Sequence, residues 1–164
     1  WVWARGDKPI HIPGLKQAIE ALPGVRMAIG SSGKGIEGFR RGHLDALTTQ
    51  RVVGRLRTGA NVVSFDMVRL VSLMTQNTES AQEFVKHTLG ELATAEPALW
   101  RTLYAFLSSG CNATVAAERL HTHRNTMLRR LARAQELLPR PLDDNRIHVA
   151  VALEALHWTS ADPR

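Results

Sequence analysis

Two apolar helical patterns stand only two residues apart in the C-terminal half of the chain, and that spacing narrows what it can fold into. The first puts Ala116, Ala117 and Leu120 on one side of a short helix. The second puts Met127, Leu131, Ala134 and Leu138 at spacings of four, three and four. Between them lie His121 and Thr122, which is turn length. Small alanines in the first helix let the second cross it closely, as a helix-turn-helix requires. The turn of such a motif often carries glycine, and His121 stands in that place.

Upstream the apolar period changes. Residues 1–5 (WVWAR) alternate and predict a strand, closed by Gly6-Asp7 and then Pro9. Apolar residues at 15, 18, 19 and 22 predict a short helix that Pro23-Gly24 ends. A second strand is expected over residues 25–29, a loop over 30–35, a long helix over 36–57 stopped by Thr58-Gly59, and a third strand over 61–65. Strand and helix alternate here, so this part reads as an α/β unit. From Asp66 onward only helices are expected: about 66–76, 79–93, 97–109, 113–120, 123–138 and 143–158. Pro97 suits a first turn and Gly110 a stop, and Asp143 or Asp144 suits a cap. The expected fold class is therefore α+β, with a partial α/β module over 1–76, a helical connector over 77–96 and an all-α helix-turn-helix domain over 97–164. Trp1 stands first, inside an alternating pattern, so the chain is expected to begin within a larger protein.

The surface leans basic, with a formal net charge of +6 and a pI of about 10.4. That favours a polyanionic partner without fixing a fold. Cys111 is the single cysteine, which excludes an intramolecular disulfide and suits a reducing compartment. No apolar run reaches the roughly 18 residues of a membrane span. No basic-then-apolar leader opens the chain, so a cytoplasmic location is expected.

Three chemical readings fail on residue type or spacing. Residues 30–35 (GSSGKG) suggest a phosphate loop, but Ala28 stands five before Gly33 and Gly35 follows Lys34, where glycine and a hydroxyl residue are needed. A strand-to-helix turn is expected instead, with glycines supplying positive φ. For metal, His121 and His123 are one residue apart and would point to different helix faces. One cysteine and no close ligand pair leave no closed zinc site, so neither metal nor cofactor is expected. No nucleophile elbow is present, and the chain is not expected to be an enzyme.

The nucleic-acid reading fits better. A second helix over about 123–138 would be a recognition helix, whose first residues face the major groove of double-stranded DNA. Thr122 is the expected N-cap, with His123 as alternative. Arg124, Asn125 and Thr126 would stand nearest base edges with His123 beside them, since arginine pairs with guanine and asparagine with adenine. Arg129, Arg130 and Arg133 would bind backbone phosphate. A merely solvated basic face is the plain alternative. Five arginines from 119 to 133 against two acids, Glu118 and Glu136, favour DNA.

The string HRNTMLRRL (residues 123–131), followed by ELLPRPLDD (136–144) and a last amphipathic helix, resembles the C-terminal helix-turn-helix of the purine-catabolism regulator (PucR) family, with which the carbohydrate-diacid regulators (CdaR) are grouped. Residues 103–107 (LYAFL) and 112–120 resemble that domain's two preceding helices. Thr122 replaces a usual aliphatic residue, and Arg129 stands where an aromatic is common. The recognition-helix pattern is also similar to the Fis-type helix-turn-helix, but the chain continues for another helix past Leu138, as the PucR family does. More loosely, residues 25–30 (VRMAIG), 35–41 (GIEGFRR) and 45–47 (DAL) resemble the latter part of the GGDEF-like domain found upstream in these regulators. The catalytic hairpin of true GGDEF domains is lacking, so the resemblance implies a degenerate coupling element. Together the resemblances imply a sequence-specific transcriptional regulator with an effector of unknown identity, and a homodimer is expected if its operator is palindromic. The other classes weighed are a nucleotide- or ligand-binding module on residues 1–66, and a dimerisation module built on helices 66–95.

Overall fold

The computed structural model describes residues 1–4, 6, 10–55 and 60–160, the side chain of Arg55 apart. The chain divides into two compact units, the first holding Trp1–Ser72 and the second Leu73–Thr159.

The first unit is built around one strand–helix–strand passage. Helix α1 (Ile12–Glu20) leads to strand β1 (Met27–Ile29), helix α2 (Gly35–Arg55) and strand β2 (Val62–Ser64). The strands pair in parallel, Met27 against Val62 and Ile29 against Ser64. Parallel neighbours need a crossover, and α2 supplies it. Val62 and Val63 are fully buried, with Val52 and Val53 of α2 and Val68 and Val71 of helix α3 (Phe65–Met74) also in the core.

The strand expected over residues 1–5 does not form over 1–4, and Arg5, Asp7 and Pro9 lie outside the described residues. A strand needs a neighbour to take its backbone groups, and the sheet holds β1 and β2. Trp1 and Trp3 lean instead on the side chains of α2: Trp1 stands edge-on to His43, and Trp3 stacks on Phe39. The stop expected at Thr58-Gly59 also lies outside the described residues.

The loop over residues 30–35 is structural, though not quite for the reason expected. Gly35 does adopt a positive φ of 67°. Gly30 and Gly33 matter for closeness: a Cβ on Gly30 would strike the carbonyl of Gly42, and one on Gly33 would lie 2.5 Å from the Cα of Gly38. The connection thus lies directly on the backbone of α2. The Ser31 hydroxyl donates to the Asp45 carboxylate and fastens it there.

The second unit is entirely helical among the described residues. Helix α4 (Thr78–Leu89) begins at Asn77, whose side chain accepts from the amide of Ser80. It ends at Gly90 and passes into a 3-10 turn, Gly90–Thr94, where one continuous helix was expected. Gly90 holds a φ of 57°, which leaves helical geometry and ends the helix, and a Cβ there would lie 3.1 Å from the ring of Pro139. Helices α5 (Pro97–Ser108), α6 (Ala113–Arg119), α7 (Arg124–Glu136) and α8 (Leu142–Thr159) follow. Leu89, Leu92, Trp100, Leu103, Leu131, Ala134, Leu138, Val149 and Leu153 form one core. Residues of α4 and the 3-10 turn therefore share the core of the helices that follow. Asp143 and Asp144 lie inside the first turn of α8, since the helix starts one residue before them. There their charges favour the helix dipole without capping it.

Candidate nucleic-acid interface

The crossing of α6 and α7 rests on a second, smaller cluster. Ala116 and Ala117 of α6, Ala105 of α5 and Met127 of α7 pack together, with Phe106 and Leu120 against them. Met127 is fully buried, which stabilises the pair by about 1.5–3 kcal/mol. The two alanines leave room for that side chain. Asn112 opens α6 by accepting hydrogen bonds from the amides of Thr114 and Val115.

The turn is tied by backbone bonds. The amide of His121 donates to Glu118 and that of Thr122 donates to Ala117. His121 adopts a φ of 49°, the left-handed conformation that glycine commonly supplies in such turns. Thr122 is half-buried within the turn and does not cap α7. The N-cap is His123, the alternative weighed from sequence, with extended φ and ψ and no capping bond from its side chain. A cap on Thr122 fails because Thr122 is still bonded back to α6 and the helix begins two residues later.

The start of α7 is consequently open. No acidic residue stands in its first turn, and no side chain takes its leading amides. Such an end attracts anions through its free N–H groups and its dipole. Arg124 and Asn125 are exposed there, while Thr126 is half-buried. Asn125, Arg129 and Arg133, four residues apart in turn, form an exposed line opposite the buried Met127, Leu131 and Ala134. Arg124 and Arg130 flank that line, and Arg130 is half-buried. Arg133 also meets Glu136 at 2.8 Å, a bond between two exposed side chains. Exposed pairs of this kind contribute about 0–1 kcal/mol, so Arg133 can exchange its partner for a phosphate.

Residues 99–155 match the family described as the PucR C-terminal helix-turn-helix domain. The second unit carries a DNA-binding helix-turn-helix of the PucR type. Its relatives include the purine catabolism regulatory protein of Bacillus subtilis (strain 168), 33% identical over 85 residues, a match covering 48% of this chain and 16% of that protein. The transcriptional activator PmfR of Paenarthrobacter nicotinovorans is 33% identical over 97 residues, covering 57% of this chain and 21% of that one. The chain thus spans about a fifth of the length of the curated relatives it matches.

Behind the PucR-type motif, α5 and α8 are joined by a polar cluster that sequence reading missed. The Tyr104 hydroxyl donates to Glu154 Oε2 at 2.6 Å, and Trp158 Nε1–H donates to Glu154 Oε1 at 2.9 Å. Burial, then the hydrogen bond to Glu154 and its charge, raise the Tyr104 hydroxyl well above the usual phenol range. His157 stacks on Tyr104 with ring centroids 4.9 Å apart. The partners are fifty residues apart in sequence, so no local pattern announces them. Among the described residues no group of histidines, cysteines and carboxylates could hold a metal, and no helix is long and apolar enough to cross a membrane.

Proposed function

We propose that the chain is the DNA-binding part of a homodimeric, cytoplasmic, non-enzymatic transcriptional regulator of the PucR type, in which α7 enters the major groove. The observation that carries this reading is the open, acid-free start of α7, continued by the outward line of Asn125, Arg129 and Arg133. Arg124, Asn125 and Thr126 read base edges, with His123 beside them, and Thr122 holds the turn against the backbone of α6. Arg129, Arg130 and Arg133 neutralise phosphate. The further helix α8 supports the PucR type over the Fis type. The first unit is read as a degenerate GGDEF-like coupling element, on the support of its parallel strand–helix–strand passage and the resemblance over residues 25–47.

The division of labour along α7 is tested by fluorescence anisotropy on a preferred and a scrambled duplex across a salt series. Arg124→Ala is expected to cost roughly 1–3 kcal/mol on the preferred duplex and little on the scrambled one. Arg133→Ala weakens both alike and lowers the salt slope by about one. Equal losses on both duplexes for Arg124→Ala would remove it from the base-reading set.

A further inference from the structure

Beside the DNA-binding motif lies a cavity of about 260 Å³, where the C-terminal end of α4, the α7–α8 connection and the start of α8 meet. Phe84 and Pro139 give it apolar wall. The polar lining comes from His87 and Thr88 of α4, Arg140 of the connection, and Asn145 and His148 of α8, and no carboxylate is among the lining residues.

The lining groups are open to a ligand: His87, Arg140 and His148 are exposed and Asn145 is half-buried. Thr88 is 4% exposed, and among the described residues its hydroxyl makes no bond to the carbonyl four residues back of the kind that Thr102 makes. Arg69, Arg133 and Arg146 each pair with an acid three residues away. Arg140 pairs with none of the described residues. Asn145 departs from helical geometry, with φ −135° and ψ 19°, and sits half-buried at the cavity, its side chain without a hydrogen-bond partner among the described residues. The frame is stiff, because Arg140 stands between Pro139 and Pro141 and Gly90 closes against the ring of Pro139.

We infer that this cavity is a binding site for a small organic oxyanion, a carboxylate or phosphate carried on a compact apolar body. A guanidinium, two imidazoles, an amide and a threonine hydroxyl line one concavity with no carboxylate among them, a donor set that suits oxyanions. The ring of Phe84, whose centroid is 6.5 Å from that of His148, faces the apolar part. A duplex is a poorer fit, since its phosphates are met by groups that stand out from a surface, and these line a concavity. The site borders the connection that leaves α7, so its occupant touches the segment that ends that helix.

An NMR titration of the chain with benzoate, inorganic phosphate and uncharged benzamide tests the site. Benzoate or phosphate is expected to give saturable amide shifts confined to residues 84–90 and 139–148. Whichever of the two binds identifies the head group. Arg140→Gln weakens the binding by about tenfold or more. Thr88→Val, which keeps the side-chain shape, weakens it as well while leaving the spectrum folded. The inference is overturned if neither anion saturates by about 20 mM, well past a millimolar dissociation constant. It is also overturned if benzamide binds as well as benzoate, if both variants bind as the parent does, or if these amides move with duplex DNA alone.

Discussion

His121 holds the turn between α6 and α7 at a φ of 49°. A side chain in that region costs about 1–2 kcal/mol, and glycine avoids the cost while adding some entropy to the unfolded chain. His121→Gly is therefore expected to stabilise the second unit by about 0.5–1 kcal/mol, raising its melting temperature by a few degrees. An unchanged or lower melting temperature would mean that the imidazole supplies a contact beyond the turn. The residue type pointed to the turn position, because only two residues separate the apolar patterns. It could not reveal the cap, since Thr122 is a good cap by composition and is excluded only by its bond to Ala117. The same holds for Arg133, which reads as a free cation until its contact with Glu136 is seen.

Among the elements, helices with a clear apolar stripe were the most legible, and α5, α6 and α7 lie within a residue or two of their expected spans. Elements that depend on distant neighbours were not. Residues 1–4 alternate as a strand does, but strand pairing is a property of two segments. Gly90 ends α4 with a positive φ and stands close to Pro139, far along the chain, a proximity no local pattern shows. Glycines of the first unit make a related point. A Cβ at Gly38 would collide with the backbone of Gly33, so neither side can yield cheaply. Gly38→Ala is expected to destabilise the first unit by roughly 1–3 kcal/mol, despite the better helix propensity of alanine, as chemical denaturation would record. The join of α5 and α8 carries a pH dependence. Burial lowers the pKa of His157, the charge of Glu154 opposes this, and Arg101 and Arg119 lower it further. The residue keeps an exposed edge, so the effect is modest. The unfolded chain then binds the proton more readily, and stability falls as pH drops below about 6.5 before levelling off beneath the folded value. His157→Gln should show a smaller drop in urea midpoint between pH about 7.5 and about 5.5. An equal drop in both proteins would assign the dependence to other groups.

At the scale of the molecule, two kinds of packing share one chain. The first unit uses a short parallel pair crossed by α2, and the second gathers its helices around Leu103, Leu131 and Val149. The apolar period changes near residue 65, whereas the units divide between Ser72 and Leu73, because α3 packs with the first unit. The arginines of α7, read from sequence, lie on its outward side, where the DNA-binding face is proposed. The cavity proposed to take an oxyanion was silent in sequence, because Thr88, Arg140 and His148 line it only after the fold is complete. In the proposed function α7 reads base sequence rather than merely carrying charge. Selection of bound duplexes from a random pool tests it most directly. The chain is expected to enrich a defined motif, and the Arg124→Ala variant to lose preference at part of it. A pool that stays random while binding remains salt-dependent would contradict the claim and leave α7 as a basic surface only.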